Sequence, residues 1–227
     1  MPLRIDPAQA LAERLGHRFA DAASLRRALT HRSAASANNE RLEYLGDAVL
    51  GLLVAEALYE AAHDGDEGAL SRLRASLVNE RSLAELASEL GVGEALVLGA
   101  GELKSGGWRR ESILADALEA LIGAVYVDGG LEAARRVVRQ LFVARLAALP
   151  DAEQLKDPKT RLQELLQGRS RPLPEYAVVG VEGADHEQNF RVRCALEDGA
   201  GAEGVGRSRR EAEQAAAAAL LAELGRG

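Results

Sequence analysis

Aromatic residues and cysteine are scarce in this sequence. Aromatic residues make up 4% of the 227 residues, whereas hydrophobic residues as a whole make up 47%. The cores must therefore be built from Leu, Ala and Val, which suits close packing of helices. The one cysteine, Cys194, cannot form an internal disulfide, and this fits a reducing compartment.

Long apolar runs are also missing. No segment approaches the roughly 20 apolar residues of a membrane-spanning helix. The first residues, Met1 to Pro7, lack the apolar stretch of a signal peptide. These absences argue against a transmembrane helix, and we expect a soluble, cytoplasmic protein.

The first 149 residues predict an all-α domain, because their apolar residues recur at helical spacing and strand signals are absent. The glycine-rich stretch 99–107 predicts a loop. A linker is expected at 150–157, which is polar, begins with Pro150 and lacks periodicity. The predicted helices span residues 7–15, 24–31, 39–61, 69–90 with a break near Asn79, 111–127 and 131–148.

Residues 158–227 predict a small α+β domain with the element order α-β-β-β-α. Pro172 and Pro174 force extended chain after the first helix. An alanine-rich segment then closes the domain as a helix. The predicted elements are a helix at 158–167, strands near 175–182, 189–197 and 202–206, and a helix at 212–224.

Three carboxylates share one face of a predicted helix. Glu40, Glu43 and Asp47 are three and four residues apart, and at about 100° per residue they fall within roughly 60° of one another. Like charges four residues apart destabilise an isolated helix by about 0.2–0.5 kcal/mol. The neighbours of the last two at the same spacing, Asn39 and Gly51, carry no positive charge. A helix with several unpaired acids on one face usually binds a positively charged group.

A second predicted helix carries a similar pair of acids. Asp116 and Glu119 share a face with Ala120 and Gly123, so small residues leave room for an ion and for another helix. A solvated stripe would normally interleave Lys or Arg at four-residue spacing, and none is present. Packed together, the two helices would supply an all-oxygen cluster, which Mg²⁺ or Mn²⁺ prefers. The predicted ligands are Glu43, Asp47, Asp116 and Glu119.

With these acids in view, the chain resembles ribonuclease III nearly from end to end. Five motifs occur in the order typical of that family, which makes the resemblance specific. They are Ala-Leu-Thr-His-Arg-Ser at 28–33, Glu-Arg-Leu-Glu-Tyr-Leu-Gly-Asp at 40–47, Asp-Glu-Gly at 66–68, Leu-Gly-Ala-Gly-Glu-Leu-Lys-Ser-Gly-Gly at 98–107 and Arg-Glu-Ser-Ile-Leu-Ala-Asp at 110–116.

The resemblance implies a Mg²⁺-dependent endoribonuclease that hydrolyses phosphodiesters in double-stranded RNA, with Mn²⁺ as a substitute metal. It also implies a homodimer whose two sites cut opposite strands, with the first acidic helix buried between subunits through Leu42, Leu45, Val49 and Leu52. The expected products carry 5′-phosphates, 3′-hydroxyls and short 3′ overhangs. Ribosomal-RNA precursors and structured messenger RNA are the expected substrates.

Four acids are expected to act in catalysis. Asp47 and Glu119 are predicted to be the most essential to the chemistry. Glu40 acts either directly or through an outer-shell water or a partner subunit. Glu67 lies near the cleavage site if the family pattern holds; otherwise it stabilises the N-terminal dipole of a helix.

The C-terminal domain resembles a double-stranded-RNA-binding domain. The resemblance rests on Lys-Thr-Arg-Leu-Gln-Glu at 159–164, Gly-Ala-Asp-His at 183–186 and Gly-Val-Gly-Arg-Ser-Arg-Arg-Glu-Ala at 204–212. Proteins recognise the shape of duplex RNA through 2′-hydroxyls and phosphates, and a helix N-terminus with Arg side chains suits phosphate. The expected RNA-binding residues are Lys159, Thr160, Gln163, Glu164, His186, Ser208, Arg209 and Arg210.

The net charge argues against strong RNA binding. The whole chain carries −7, and from residue 151 onward 11 Lys and Arg stand against 14 Asp and Glu, a net charge of −3. A basic domain is the usual footprint of a nucleic-acid-binding protein. Arg207, Arg209 and Arg210 cluster locally, whereas Glu213 lies where many such domains have another basic residue. We therefore expect modest affinity.

Two other functions fit parts of the sequence. A non-catalytic double-stranded-RNA-binding protein would keep the C-terminal domain but lose the acids, and all six acids are present. A carboxylate-bundle oxidase needs two Glu-x-x-His motifs, and Glu60 with His63 forms a single one. The endoribonuclease is the favoured interpretation, with the non-catalytic binding protein as the alternative.

Overall fold

The computed structural model describes residues 6–61, 65–153, 155–183 and 188–225. The chain divides into two compact units, Met1–Ala152 and Glu153–Gly227. The segment predicted as a linker spans this division. None of the helices among the described residues is long and apolar enough to cross a membrane.

The first unit is helical, as predicted. A single turn of 3₁₀ helix, Gly107–Arg109, precedes its last helix, and an isolated β-bridge joins Thr30 to Val97. Its helices are α1 (Pro7–Leu15), α2 (Ala22–Ala28), α3 (Glu40–Ala61), α4 (Glu67–Leu77), α5 (Glu80–Glu89), α6 (Val92–Ala95), α7 (Ala100–Lys104) and α8 (Glu111–Ala147).

Short polar side chains set the starts of several helices. Asp6, Asp21 and Asp66 each accept a hydrogen bond from a backbone N–H in the first turn of α1, α2 and α4. Asn79 does the same for α5, with its side chain accepting from the N–H of Ser82. The predicted break near Asn79 is confirmed, because this cap begins a new helix there.

Two predicted boundaries differ from the structure. The helix predicted at 24–31 lies at Ala22–Ala28, because Asp21 caps it early and Thr30 is drawn into the bridge with Val97. The predicted loop at 99–107 contains α7, in which the N–H of Leu103 donates to the carbonyl of Gly99. Glu, Leu and Lys are good helix formers, so they fold as a short helix despite the flanking glycines.

The long helix α8 bends at Gly130. The backbone there has φ 74° and ψ −175°, a conformation that only glycine adopts readily. The two helices predicted at 111–127 and 131–148 are therefore the two arms of α8.

Helices α3 and α8 form the centre of the first unit. The two helices pack against each other over much of their length, and α5 packs against α8, so the acids on α3 and α8 are held by the unit's main core. The largest buried side chains on the two helices are Leu50, Leu58, Leu118, Leu121, Ile122 and Phe142.

The second unit has the predicted α-β-β-β-α order. The three strands form an antiparallel sheet in the order β1-β2-β3, and side chains from both helices and the sheet share one core. The last helix begins at 209 rather than 212, because Ser208 caps it. Its elements are α9 (Pro158–Gly168), β1 (Glu175–Glu182), β2 (Asn189–Ala195), β3 (Gly201–Gly206) and α10 (Arg209–Leu224).

Candidate active site and RNA-binding surface

The acids of α3 and α8 lie where the two helices cross. Glu43 and Asp47 flank Gly46 on α3, and a Cβ at Gly46 would overlap the backbone carbonyl of Glu119 on α8. The helices therefore touch through their backbones at this point. This close approach brings the acidic face of α3 onto that of α8.

Three carboxylates converge at the crossing. One oxygen from each of Glu43, Asp116 and Glu119 lies within 4.8 Å of the other two, and all three residues are half-buried. Within the described part of the chain, this is the one group of three acidic, His or Cys side chains close enough to share an ion. An all-oxygen set of this kind suits a hard divalent cation.

The pKa values of all three carboxyl groups are raised at this crossing. Burial, followed by the charges of Asp47, Asp116 and Glu43, raises the pKa of Glu119 to about 7. Burial is also the main cause that raises the pKa of Glu43 and of Asp116. Buried, mutually repelling carboxylates are stabilised by a cation placed between them.

Asp47 stands apart from the group of three. It lies on the exposed side of α3, and its charge is the second cause of the raised pKa of Glu119, after burial. The structure therefore brings three of the four predicted ligands together and leaves Asp47 beside them.

Glu40 lies at the start of α3 and faces a cation from another segment. One carboxylate oxygen is 3.5 Å from the guanidinium of Arg32, and the other accepts a hydrogen bond from the Asn38 amide at 3.2 Å. Arg32 follows α2, so its pairing with Glu40 is invisible in the spacing of α3 itself. The acidic face of α3 therefore has a positive partner, although the sequence suggested that it had none.

Two of the three converging acids, Glu43 and Asp116, line a pocket of about 470 Å³. Its walls combine Glu40, Glu43 and Asp116 with two arginines, Arg32 and Arg110. The arginines lie close to carboxylates at the rim, as in the 2.5 Å ion pair between Arg110 and Glu102. The remaining lining residues are His31, Ser33, Asn39, Ser112 and Ile113.

Glu67 is the first residue of α4. Its carboxylate accepts a hydrogen bond from the hydroxyl of Ser71 at 2.9 Å, and Asp66 caps the same helix. Glu67 is not among the described residues that line the acidic pocket. Its position at a helix N-terminus agrees with the dipole interpretation.

The second unit places cations from two helix starts around one carboxylate. Glu213 on α10 accepts hydrogen bonds from Lys159 on α9 at 2.6 Å and from Arg209 at 2.9 Å. The Lys159 ammonium also lies 4.4 Å from the centre of the Tyr176 ring. Arg210 is exposed and has no ion-pair partner among the described residues.

The other expected RNA-binding residues have mixed environments. Gln163 is exposed on α9, and Glu164 on the same helix pairs with Lys156 at 2.7 Å. The hydroxyl of Thr160 donates to Asp157, the cap of α9, and the hydroxyl of Ser208 caps α10. These two hydroxyls therefore already stabilise helix starts. His186 lies outside the described residues.

Comparison with known proteins assigns each unit to a family. The Ribonuclease-III-like family matches residues 21–146, and the double-stranded RNA binding motif matches residues 158–224. Ribonuclease 3 of Alkalilimnicola ehrlichii is 56% identical over 96% of both chains. The chain belongs to the ribonuclease III family.

Other ribonuclease III proteins agree with this assignment. Ribonuclease 3 of Nitrosococcus oceani is 56% identical over 96% of this chain and 95% of its own. The solved nuclease domain of ribonuclease III from Campylobacter jejuni is 44% identical and superposes with a TM-score of 0.59. That match covers 60% of this chain and 96% of the solved one.

As a ribonuclease III, this chain is an endoribonuclease that acts on double-stranded RNA. The predicted family and enzyme class are confirmed. The all-α unit is the nuclease-type unit, and the α-β-β-β-α unit is the RNA-binding one. The catalytic interpretation therefore holds over the non-catalytic alternative.

Several charged residues of the candidate site were not predicted from the sequence. Arg32 precedes α3, and Glu102 and Arg110 lie between α3 and α8. Glu80 on α5 is the second cause, after burial, of the raised pKa of Asp116. No periodic spacing links these residues to α3 or α8. The motifs at 28–33, 98–107 and 110–116, which contain Arg32, Glu102 and Arg110, were the available signal for these three residues.

Proposed function

We propose that this chain is a Mg²⁺-dependent endoribonuclease that cleaves double-stranded RNA to 5′-phosphate and 3′-hydroxyl ends with short 3′ overhangs. The observation that carries the proposal is the convergence of Glu43, Asp116 and Glu119 at the α3–α8 crossing. The double-stranded RNA binding motif in the same chain supplies the substrate class.

The proposed metal ligands are Glu43, Asp116 and Glu119, with Asp47 beside them as a fourth candidate. Their fit to a hard cation rests on the donor set, which is entirely carboxylate oxygen, and on the raised pKa of each of the three. A bound Mg²⁺ or Mn²⁺ supplies the positive charge that activates water and stabilises the leaving oxygen of a phosphodiester.

The protein's own residues complete the site. Asp47 is exposed and close enough to Glu119 to raise its pKa, so we assign it to orient the attacking water at the open side of the cluster. Burial and three neighbouring acids together raise the pKa of Glu119, so we assign it the most essential ligand role. Arg32 and Arg110 line the pocket of Glu43 and Asp116 and can hold an RNA phosphate near these two acids.

Glu40 and Glu67 are proposed to support catalysis from outside the group of three. Glu40 is held by Arg32 and Asn38, so we assign it to contact the metal through a water molecule at the edge of the pocket. Glu67 is the first residue of α4, and we assign it to the neighbourhood of the RNA-cleavage site.

A homodimer is proposed from the exposed face of α3. Val49, expected at the interface, is buried in the chain's own core, and Leu42 and Leu45 are half-buried. Leu52 is exposed, together with Tyr44 and Tyr59, which lie about two helical turns to either side of it. These large apolar groups on one helix face are typical of an interaction surface.

Two further points support the dimer. The solved nuclease domain of Campylobacter jejuni ribonuclease III is structurally flexible in a region involved in its dimer formation. A dimer with two acidic sites is also consistent with the proposed short overhangs, since each site would cut one strand. We propose that the two sites of the dimer cut opposite strands of the duplex.

The second unit is proposed to bind the sugar-phosphate backbone of the RNA duplex. Lys159, Arg209 and Arg210 lie at helix starts and are assigned to phosphates. Exposed Gln163 and Glu164 on α9 are assigned to 2′-hydroxyls. Thr160 and Ser208 are assigned RNA contacts secondary to their capping roles, and His186 is also assigned an RNA contact.

Ribosomal-RNA precursors and structured messenger RNA are the proposed substrates, and the cytoplasm is the proposed location. Both classes of RNA contain long paired segments, which suit recognition by shape rather than sequence. The domain limits proposed for this activity are 1–149 for the nuclease and 158–227 for RNA binding, with 150–157 as linker.

The proposal is tested by incubating the protein with long duplex RNA in EDTA, Mg²⁺, Mn²⁺ or Ca²⁺ and mapping both ends of every product. We expect cleavage with Mg²⁺ and Mn²⁺, 5′-phosphates, and ends on the two strands offset by a short 3′ overhang. Cleavage in EDTA at the Mg²⁺ rate, or products with 3′-phosphates, would contradict it. Single-stranded RNA of the same sequence serves as the control substrate.

A further inference from the structure

Glu213 lies beneath the cations that the RNA-binding unit presents. Its two carboxylate oxygens accept hydrogen bonds from Lys159 at 2.6 Å and from Arg209 at 2.9 Å. The Glu213 side chain is 14% exposed, whereas that of Arg209 is 65% exposed. The carboxylate is therefore the inner group, and the cations are the outer ones.

The carboxylate remains charged in this position. The hydrogen bond from Lys159 is the main cause that holds the pKa of Glu213 below its usual value. A charge-assisted hydrogen bond on each oxygen fixes the directions of both partners. Without it, two cations at neighbouring helix starts would repel each other and sample many rotamers.

Both cations keep donors for another anion. Arg209 uses its Nε–H on Glu213, so the four N–H groups of its terminal nitrogens stay available. The Lys159 ammonium has three N–H groups and spends one on Glu213, while the Tyr176 ring lies under the same ammonium at 4.4 Å. Glu213 can thus orient the two cations without using up their capacity to bind phosphate.

The backbones that carry the two cations are held together as well. The N–H of Lys159 donates to the side-chain oxygen of Gln214 at 3.1 Å, and the Gln214 amide donates to Asp157 at 2.8 Å. The residue next to Glu213 thus joins the start of α9 to the start of α10. Glu213 acts on side chains whose attachment points are already fixed.

We propose that Glu213 is a positioning residue for duplex RNA, which holds Lys159 and Arg209 in the geometry that receives phosphate. This inference rests on the proposed function, in which those two cations contact the RNA backbone. It reverses the expectation from charge alone. A count of charges predicts that removing Glu213 strengthens binding to a polyanion, whereas loss of positioning weakens it.

The test compares full-length Glu213→Ala and Glu213→Gln with the wild type. Binding to a duplex RNA is measured by fluorescence anisotropy in EDTA, over a series of salt concentrations. We expect Glu213→Ala to bind about five- to tenfold more weakly, the scale expected when one or two long side chains must be ordered on binding. The slope of log affinity against log salt should also flatten. Glu213→Gln keeps one acceptor oxygen, enough for one of the two cations, and should lose less.

Glu223→Gln is the matched control. Glu223 is an exposed acid on the same helix and makes no ion pair among the described residues. Removing its charge should leave affinity unchanged or slightly increase it. Thermal unfolding of each variant separates a loss of positioning from a loss of folding, because the Gln variant preserves the shape of the side chain.

Lys159→Ala and Arg209→Ala distinguish the inference from the function on which it rests. If both bind like the wild type, the phosphate contacts lie elsewhere and the proposed function of this surface fails. If both bind weakly but Glu213→Ala binds as tightly as the wild type or more tightly, positioning is wrong and Glu213 competes with RNA. In the Lys159→Ala/Arg209→Ala background, adding Glu213→Ala should change nothing further.

Discussion

Gly46 on α3 and Gly123 on α8 face each other at the helix crossing. A Cβ on Gly46 would lie 3.0 Å from the backbone nitrogen of Gly123, and a Cβ on Gly123 would lie 3.1 Å from that of Gly46. Each would also overlap a carbonyl oxygen of the opposite helix. The absence of two side chains is what allows the acids of both helices to meet.

Gly46→Ala should therefore damage both stability and cleavage. The new methyl group meets backbone, which cannot rotate away, so we expect a loss of about 1–3 kcal/mol or more of unfolding free energy. The acids would separate with the helices. Gly101→Ala is the control, since a Cβ there meets nothing within 4 Å on a short exposed helix. Urea unfolding and duplex cleavage are measured on both; an intact, active Gly46→Ala would refute the close crossing.

Glu119→Gln should abolish cleavage while RNA binding survives. The substitution keeps the size of a half-buried side chain but removes one charged oxygen from the cluster. The loss should exceed the roughly 10- to 100-fold typical of an outer-shell change. Single-turnover cleavage and anisotropy are the two readouts. Glu13→Gln, an exposed acid on α1, controls for the change in charge. Near-normal cleavage by Glu119→Gln in Mg²⁺ would remove this residue from the metal site.

The raised pKa of Glu119, about 7 against 4.5 for an ordinary Glu, predicts a pH dependence. Between these values the folded state binds more protons than the unfolded state, so stability without metal falls as pH rises from about 4.5 to 7. Metal binding must displace that proton, so Mn²⁺ affinity should rise with pH and level off above 7.

Thermal unfolding in EDTA and Mn²⁺ titrations at pH 5.5 to 8.5 check both trends. Glu119→Gln supplies the control, because the metal-free variant should be more stable than the wild type at pH 8 and lack most of the pH slope. A wild-type Mn²⁺ affinity that stays constant between pH 5.5 and 7.5 would contradict the prediction.

Leu52→Asp should convert the proposed dimer to monomers. Tyr44, Leu52 and Tyr59 are exposed on one side of α3, and a charge at the centre of that side would be buried without a partner on association. Sedimentation velocity at several concentrations measures the change. Val143→Asp places the same charge at another exposed apolar position and should leave the assembly intact. A wild-type chain that sediments as a monomer would overturn the dimer itself.

Replacing both Arg209 and Arg210 with Ala should weaken duplex binding for every RNA sequence alike, since phosphates carry no sequence information. The slope of log affinity against log salt should fall by about 0.9 per lost phosphate contact, a value transferred from B-DNA. Gln163→Ala, assigned to a hydroxyl, should weaken binding at constant slope. If the double variant retains the wild-type slope, phosphates are bound elsewhere on this unit.

The sequence by itself determined the local structure and the chemical type of the site. Helical periodicity identified an all-α unit, and Asn79 marked a helix break that the structure contains. The spacing of Glu43 with Asp47, and of Asp116 with Glu119, was enough to predict two acidic helix faces. These features are local, since side-chain direction along a helix follows from residue number alone.

Only the tertiary structure decided which charges meet. It joined three acids and left Asp47 beside them, brought Arg32 to Glu40, and set Glu213 between two cations. These contacts depend on where helices cross and on which segments distant in sequence lie close together in the fold. Electrostatic energy depends on distances in space, so periodicity along the chain cannot predict it.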